Sequence, residues 1–247
     1  ARWRRRPFRS PHHTASAASL IGGGSSLIRP GAAARASHGV LFLDEAPEFA
    51  SPALDALRQP LESGTISIHR ANAVAHFPGR FQLIMAANPC PCGQYGARDS
   101  ECVCPPNSRR RYLGRISGPL LDRIDIQLRV KRITAARLRV SNDTKRLSTA
   151  QARERVLRAR ATAAERLART PWHLNSEVQG TWLRGGAHRL APAITASLDR
   201  ALERGGITMR GYDRVLRLSW TIADLDGASS PTADHLGRAL YLRRAMS

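Results

Sequence analysis

Gly39-Val-Leu-Phe-Leu-Asp-Glu45 sets four apolar residues between a glycine and two carboxylates. The apolar run is strand-sized and does not alternate, which predicts a parallel strand in a sheet covered on both faces. Its C-terminal end carries the acids. An Asp at such a strand end can hold Mg²⁺ against ATP phosphates, and the adjoining Glu can polarise an attacking water. The same pattern fits an ordinary strand meeting an acidic turn, so its surroundings decide the reading.

Upstream, residues 1–39 are rich in Arg, Gly, Ser and Ala and include the flexible run Gly22-Gly-Gly-Ser-Ser26. Downstream, Ser51-Pro52 reads as an N-cap and first-turn proline. They open a helix through Glu62 that Gly64 ends, with Pro60 placed to kink it. Thr65-Ile-Ser-Ile-His-Arg70 alternates with period two, and Val74 to Phe77 can pair back on it, predicting a β-hairpin. Phe81 to Ala86 is a second core strand. A cysteine- and proline-rich loop, a short helix over Pro119 to Arg123 and a strand over Ile124 to Val130 follow.

Beyond Lys131 the pattern turns helical, over 148–169, 187–204, 210–225 and 232–245, with Val156, Ala159 and Ala163 on the first helix's apolar stripe. Strands with helices, then helices alone, predict an α/β core over residues 1–133 and an all-α domain over 134–247.

Other residues break the tie at Asp44 and Glu45. Asn88 follows the second core strand, where its amide can orient the same water. Arg123 precedes the last predicted strand, a place from which an arginine can reach a neighbouring subunit's nucleotide. Cys90, Cys92, Cys102 and Cys104 are all the cysteines and form C-x-C-x₉-C-x-C. Four thiolates suit a closed, structural tetrahedral Zn²⁺ site; an Fe–S cluster or reduced free thiols are the alternatives. His12 and His13 have no carboxylate or cysteine near them in sequence and read as polar loop packing.

Net charge is +20, from 39 basic and 19 acidic residues, which predicts a polyanionic partner. Only Lys131 and Lys145 are lysines, so the arginine bias of a GC-rich genome accounts for part of this charge. No apolar run reaches the roughly 18 residues of a membrane span, and no signal core follows the basic start, so a cytoplasmic protein is expected.

These phrases resemble the magnesium-chelatase-like branch of AAA+ ATPases, most closely its ComM/YifB group. The resemblance is carried by Arg6-Pro-Phe-Arg-Ser-Pro-His-His-Thr14, Gly39 to Glu45, Pro60 to Gly64, Ala87 to Gly93, Ser117 to Asp125, Met209 to Arg217 and Thr221 to Leu225. It implies a three-layer AAA+ core with a β-hairpin insert, truncated here, followed by a helical lid. It implies Walker B roles for Asp44 (magnesium) and Glu45 (water), a sensor-1 role for Asn88 and an arginine-finger role for Arg123. Arg210 matches the sensor-2 arginine, with Arg214 as its rival, and Arg70 the DNA-contacting residue of a presensor-1 hairpin, ahead of His69.

The family drives DNA branch migration or unwinding as a hexamer, using ATP. One departure stands out: the chain contains no G-x-x-x-x-G-K-[ST] phosphate loop, and Gly22 to Gly24 lack the following lysine. The resemblance therefore implies a C-terminal part, inactive by itself. A magnesium-chelatase motor subunit and a non-catalytic DNA-binding or oligomerisation fragment are the alternatives.

Overall fold

The computed structural model describes residues 5–24, 27–70, 73–96, 101–130 and 147–244. The chain divides into two compact units, Ala1–Ile124 and Asp125–Ser247. The boundary expected near 134 lies outside the described residues.

The first unit runs β1 (Phe8–Arg9), α1 (Ala17–Ile21), β2 (Gly22–Gly23), β3 (Arg29–Pro30), α2 (Ala32–Arg35) and β4 (Val40–Leu43). It continues through α3 (Ser51–Asp55), α4 (Arg58–Ser63), β5 (Thr65–Arg70), β6 (Ala73–Pro78), β7 (Gln82–Met85), α5 (Pro106–Leu113) and α6 (Gly118–Leu121). Three strands make a parallel sheet in the order β1-β4-β7, in which Leu43 stands opposite Met85. The two strands read as core from their apolar runs are β4 and β7. The predicted hairpin is β5–β6, with Thr65 paired to Pro78 and Arg70 to Ala73.

Leu41 and Leu43 point into a core with Leu20, Phe49, Leu54, Leu57, Ile66 and Leu120. Each such buried side chain contributes about 1.5–3 kcal/mol relative to exposure. Alternation along the strand turns Val40 and Phe42 to the opposite face, where they are only partly buried. There Phe8, 61% exposed, stacks on Phe42 at 6.2 Å, beside the exposed Ile84. The expectation of a sheet covered on both faces is thus met on one face among the described residues.

Local differences have local causes. The helix expected over Ser51 to Glu62 is two helices, broken at Ala56-Leu57. Pro60 would lack the amide hydrogen for the Ala56 carbonyl and crowd it, whereas as the third residue of α4 it needs no such bond. Ala50, not Ser51, is the N-cap of α3, because the Ser51 hydroxyl donates to the Arg115 carbonyl (3.2 Å). Gly22 and Gly23, read as part of a flexible run, form β2 and pair with β3. Ile124 to Val130 is not a strand: the backbone bond from this segment to a distant residue runs from the Gln127 amide to the Leu242 carbonyl (2.8 Å).

The second unit contains α7 (Thr149–Leu167), α8 (Gly180–Leu183), α9 (Pro192–Glu203), α10 (Met209–Asp226) and α11 (Ala233–Arg244). Ser148 and Gln151 cap α7 reciprocally, while Gly227, left-handed at φ 74°, ends α10. The stripe expected on α7 is shifted: Ala159, Ala163 and Leu167 are buried, but Val156 is exposed. Val215, Leu216, Trp220 and Ile222 of α10 meet Leu167, Leu198 and Leu236 in the core. Asp224, buried there, takes a bidentate pair from Arg166 (2.6 and 2.8 Å) and a bond from Asn175 (2.8 Å).

Gly39 has to be glycine for a packing reason, since a Cβ there would lie 1.9 Å from the Pro7 carbonyl oxygen. Gly39→Ala is expected to cost about 3 kcal/mol or more by forcing β1 from β4. Gly237→Ala, with nothing within 4 Å of its Cβ, is expected to stabilise by about 0.5–1 kcal/mol as a helix-interior change. Urea midpoints compare the two; similar shifts would show that β1 does not need its close approach.

Candidate functional site

Parallel strands end on the same side, and here that edge gathers the predicted acids and amide. The ladder runs past the strands: the Ala86 amide donates to the Leu43 carbonyl (2.9 Å) and the Ala46 amide to the Ala86 carbonyl (2.8 Å). Asp44 and Glu45 leave β4 at this edge, and Asn88 follows two residues after Ala86; all three are exposed. The Asp44 Oδ1 accepts the Glu45 amide (3.0 Å). Glu45 adopts the left-handed conformation, φ 51° and ψ 43°, which is uncommon outside glycine and concentrates at functional sites. An exposed carboxylate at a strand end, with a second turned sharply beside it, suits metal direction and water activation.

His13 joins them, contrary to its reading as loop packing. Its Nδ1 lies 3.0 Å from Glu45 Oε2, and its ring lies tilted against that of His12 at 4.0 Å, while His12 Nδ1 meets Thr14 Oγ1 at 3.0 Å. No acid is near His13 in sequence, but β1 runs parallel beside β4, so the segment after β1 reaches the same edge as Glu45. The Pro-His-His sequence was the available signal; the strand that delivers it was too short to recognise.

The four cysteines converge. Their sulfurs all lie within 4.8 Å of one another, with Cys90 3.3 Å from Cys92 and 3.7 Å from Cys102, and Cys92 3.6 Å from Cys102. A tetrahedron with metal–sulfur bonds of about 2.3 Å has edges of roughly 3.8 Å, so the spacing fits a single zinc-sized ion. Burial raises the pKa of Cys90, but the Tyr95 amide, the Cys92 and Cys102 thiols and the Gln94 amide outweigh it, bringing it to about 6. Cys92 is raised despite its bond from the Gln94 amide, because Cys90 and Cys104 oppose its ionisation. Cys102 is raised too: burial, Cys92 and Cys90 override its bond from the Cys104 amide. One thiolate held by its neighbours' S–H groups is what such a cluster does without a cation. A dication would let all four ionise. The loop also comes close to Asn88, since a Cβ on Gly93 would lie 3.9 Å from Asn88 Cγ. Arg109 of α5 clasps the loop by stacking on Tyr95 (3.9 Å) and donating to the Cys104 carbonyl (3.1 Å).

The predicted arginines are placed differently from one another. Arg123, only 8% exposed, donates to Glu62 Oε2 (2.5 Å) and to the Pro119 carbonyl (2.7 Å), tying α6 to the end of α4. Arg210 is exposed in the first turn of α10. Arg214, its rival, pairs with Asp125 (2.6 Å). Arg70 ends β5, exposed, and its Nη2 lies 3.0 Å from where Gly23 would carry a Cβ, so it reaches back over β2. The neighbouring hairpin-tip residues, 71 and 72, lie outside the described residues.

Elemental analysis of protein purified without added metal should find one zinc per chain, and Cys92→Ser should remove it; four freely titrating thiols and no metal would eliminate the site. In the metal-free chain, Cys90 at about 6 against its ordinary 9.0 leaves the unfolded state binding more protons across that window. Stability should therefore rise from pH 6 to 9 and be lost as pH falls through 6; a flat urea midpoint across this range would contradict it. Arg123→Ala empties the space of a buried side chain and removes its bonds to Glu62 and the Pro119 carbonyl, and is expected to cost about 1–3 kcal/mol in residues 1–247, read as a lowered melting temperature. An unchanged melting temperature would show that the pair holds nothing together.

Comparison with known proteins places these features. The family model for magnesium chelatase, subunit ChlI, matches residues 1–138, and that for the C-terminal part of the same subunit matches residues 146–243. An uncharacterized protein of Mycobacterium tuberculosis is 46% identical over 240 residues, which is 97% of this chain and 46% of the relative. The competence protein ComM of Haemophilus influenzae is 44% identical over 242 residues, 98% of this chain and 46% of its own length. The YifB protein of Escherichia coli is 39% identical over 241 residues, again 98% and 46%. The chain thus spans about half the length of these relatives. With both family models matched in order and relatives named ComM and YifB aligned across nearly all of it, the chain belongs to the magnesium-chelatase-like family, in its ComM/YifB group.

Proposed function

We propose that residues 1–247 are the catalytic-carboxylate and lid portion of a ComM-type AAA+ ATPase that couples ATP hydrolysis to DNA branch migration or unwinding as a homo-hexamer. The observation that carries this reading is the shared sheet edge of Asp44, Glu45 and Asn88. Asp44 would direct Mg²⁺, Glu45 would take the proton of the attacking water, and Asn88 would orient that water. Bound ATP with Mg²⁺ supplies the phosphoryl group and its charge neutralisation. Arg123 would act on a neighbouring subunit's nucleotide once exchanged from Glu62, and Arg210 would serve as sensor 2. Zinc at the four cysteines would be structural, holding the loop that follows Asn88.

The phosphate-gripping loop would come from a polypeptide segment outside these residues. Two observations support this. The sequence has no phosphate loop of its own, and the Phe8–Phe42–Ile84 face of a parallel sheet is open, where such sheets are covered on both sides. A strand and helix laid against that face would complete the third layer. DNA would be met by the β5–β6 hairpin, with Arg70 near its tip.

A second reading, the motor subunit of a magnesium chelatase, draws on the family description. The names of the matched relatives and the cysteine cluster favour the first.

Residues 1–247 alone should hydrolyse ATP negligibly, and joined to the unmatched part of the Haemophilus influenzae relative they should hydrolyse it with DNA stimulation. In that fusion Glu45→Gln should lower turnover about 100-fold or more while sparing nucleotide binding, and Arg70→Ala should remove the DNA stimulation. Robust hydrolysis by residues 1–247 alone, or a fusion indifferent to Glu45→Gln, would sink the assignment. An inactive fusion that still binds DNA would favour a non-catalytic module.

A further inference from the structure

His13 and Glu45 stand level at the carboxyl edge of the sheet. Arg9 of β1 pairs with Leu41 of β4, and His13 and Glu45 each lie four residues beyond that pair. There the chain past β1 turns back, with the Ala15 amide donating to the His12 carbonyl (2.9 Å), so His13 occupies the turn. We propose that His13 is the positioning residue for Glu45: its Nδ1 donates to one carboxylate oxygen (3.0 Å) and leaves the other to meet the attacking water. This role rests on the reading of Glu45 as the hydrolytic base.

The side chain of Glu45 needs such a partner. Its backbone is pinned on both sides, since its amide donates to Asp44 Oδ1 (3.0 Å) and its carbonyl accepts the Glu48 amide (2.7 Å). Those bonds fix the left-handed turn at φ 51° but not the long, rotatable side chain, which is about half exposed. Among the described residues, the side chain that bonds this carboxylate is His13. A base displaced by about an ångström loses much of its rate, because it must stay within hydrogen-bond reach of the water.

His13 is itself held. Its ring lies 4.0 Å from that of His12, tilted by 35°. His12 Nδ1 in turn meets Thr14 Oγ1 (3.0 Å) and the Thr14 amide (3.4 Å). Contacts therefore run from Thr14 through His12 and His13 to Glu45. An ionised carboxylate only accepts, so the hydrogen sits on His13 Nδ1, and the bond forms whether the ring is neutral or charged. A pair this exposed adds little to stability, so its effect lies in orientation.

Two measurements decide the matter. In residues 1–247, imidazole nitrogen NMR should find the neutral His13 ring protonated at Nδ1, and Glu45→Ala should abolish that preference. A ring protonated at Nε2 while Glu45 is present would overturn the contact. In the fusion described above, His13→Phe keeps a ring against His12 without its nitrogens, and it should lower kcat about tenfold with the KM for ATP unchanged. His13→Asn, whose amide can donate from nearly the same place, should restore most of the loss. In a Glu45→Gln background His13→Phe should cost nothing more, since His13 acts through Glu45. A fusion that needs Glu45 but ignores His13→Phe, a loss in KM instead of kcat, no restoration by Asn, or a further loss over Glu45→Gln would each overturn the role of His13 and leave Glu45 as base. A melting temperature that falls with turnover in His13→Phe would make the residue structural and overturn it likewise. A fusion that is inactive, or indifferent to Glu45→Gln, would instead overturn the hydrolytic reading and the role of His13 with it.

Discussion

Parallel pairing of β1, β4 and β7 is the constraint from which the candidate site follows. A parallel ladder makes neighbouring strands start and stop together, so whatever residues follow each strand become neighbours in space. Asp44 and Glu45, Asn88, and the Pro-His-His segment are far apart along the chain, and the ladder alone makes them share an edge. The same constraint gathers the residues that precede the strands, and so His38 and Arg80 sit together at the other end. Gly39 shows how tight the pairing is, since the carbonyl of Pro7 occupies the space a side chain would need.

The segment from Cys90 to Cys104 solves a different problem. Between Asn88 and α5 it presents Pro, Gly and polar residues, and Val103 is exposed, so it has little apolar surface with which to fold itself. Cys90 is fully buried, yet burial of one thiol cannot order a loop of this length against its conformational entropy. Four sulfurs at metal-site separation can, because the binding free energy of a structural metal becomes folding free energy for the residues that ligate it. The pull of the Tyr95 amide and the Cys92 and Cys102 thiols on Cys90, which brings its pKa down to about 6 against the effect of burial, is the electrostatic trace of that arrangement. Gly93 lies against Asn88, so order in this loop bears on the placement of Asn88.

Legibility in the sequence followed the length of each signal. Val40 to Leu43 and Phe81 to Ala86 were readable because short, largely apolar runs of that length belong to buried strands. The hairpin was readable because its alternation spans two strands. The helices of the second unit were readable from their composition and from breakers such as Gly205-Gly206 and Gly227. By contrast β1 is Phe8–Arg9 alone, with no pattern of its own; it exists because β4 offers an edge. His13 was unreadable for the same reason, as its carboxylate partner depends on that pairing. Ile124 to Val130 has a strand's alternation, but a strand needs a ladder, and alternation cannot supply one. Val156 lies on a plausible helical stripe, yet the buried line runs through Ala159, Ala163 and Leu167, because the packing partner, not the periodicity, chooses the face.

The charge of the chain reads differently once its pairs are known. Glu48, Asp55, Glu62, Asp125, Asp213, Asp224, Asp226 and Asp234 each stand beside an arginine within the fold. Such pairs cancel in the net charge, so they leave the total of +20 untouched, whether the acid is buried, as Asp224 is, or exposed, as Asp125 and Asp234 are. An arginine held as Arg166 is, bidentate to a buried carboxylate, is committed to packing and releases no counterions to a polyanion. The positive surplus arises because arginines outnumber acids, 39 basic residues against 19 acidic. A diffuse surplus attracts any polyanion without preference. Selectivity would require basic groups fixed beside an apolar wall, which net charge by itself does not provide.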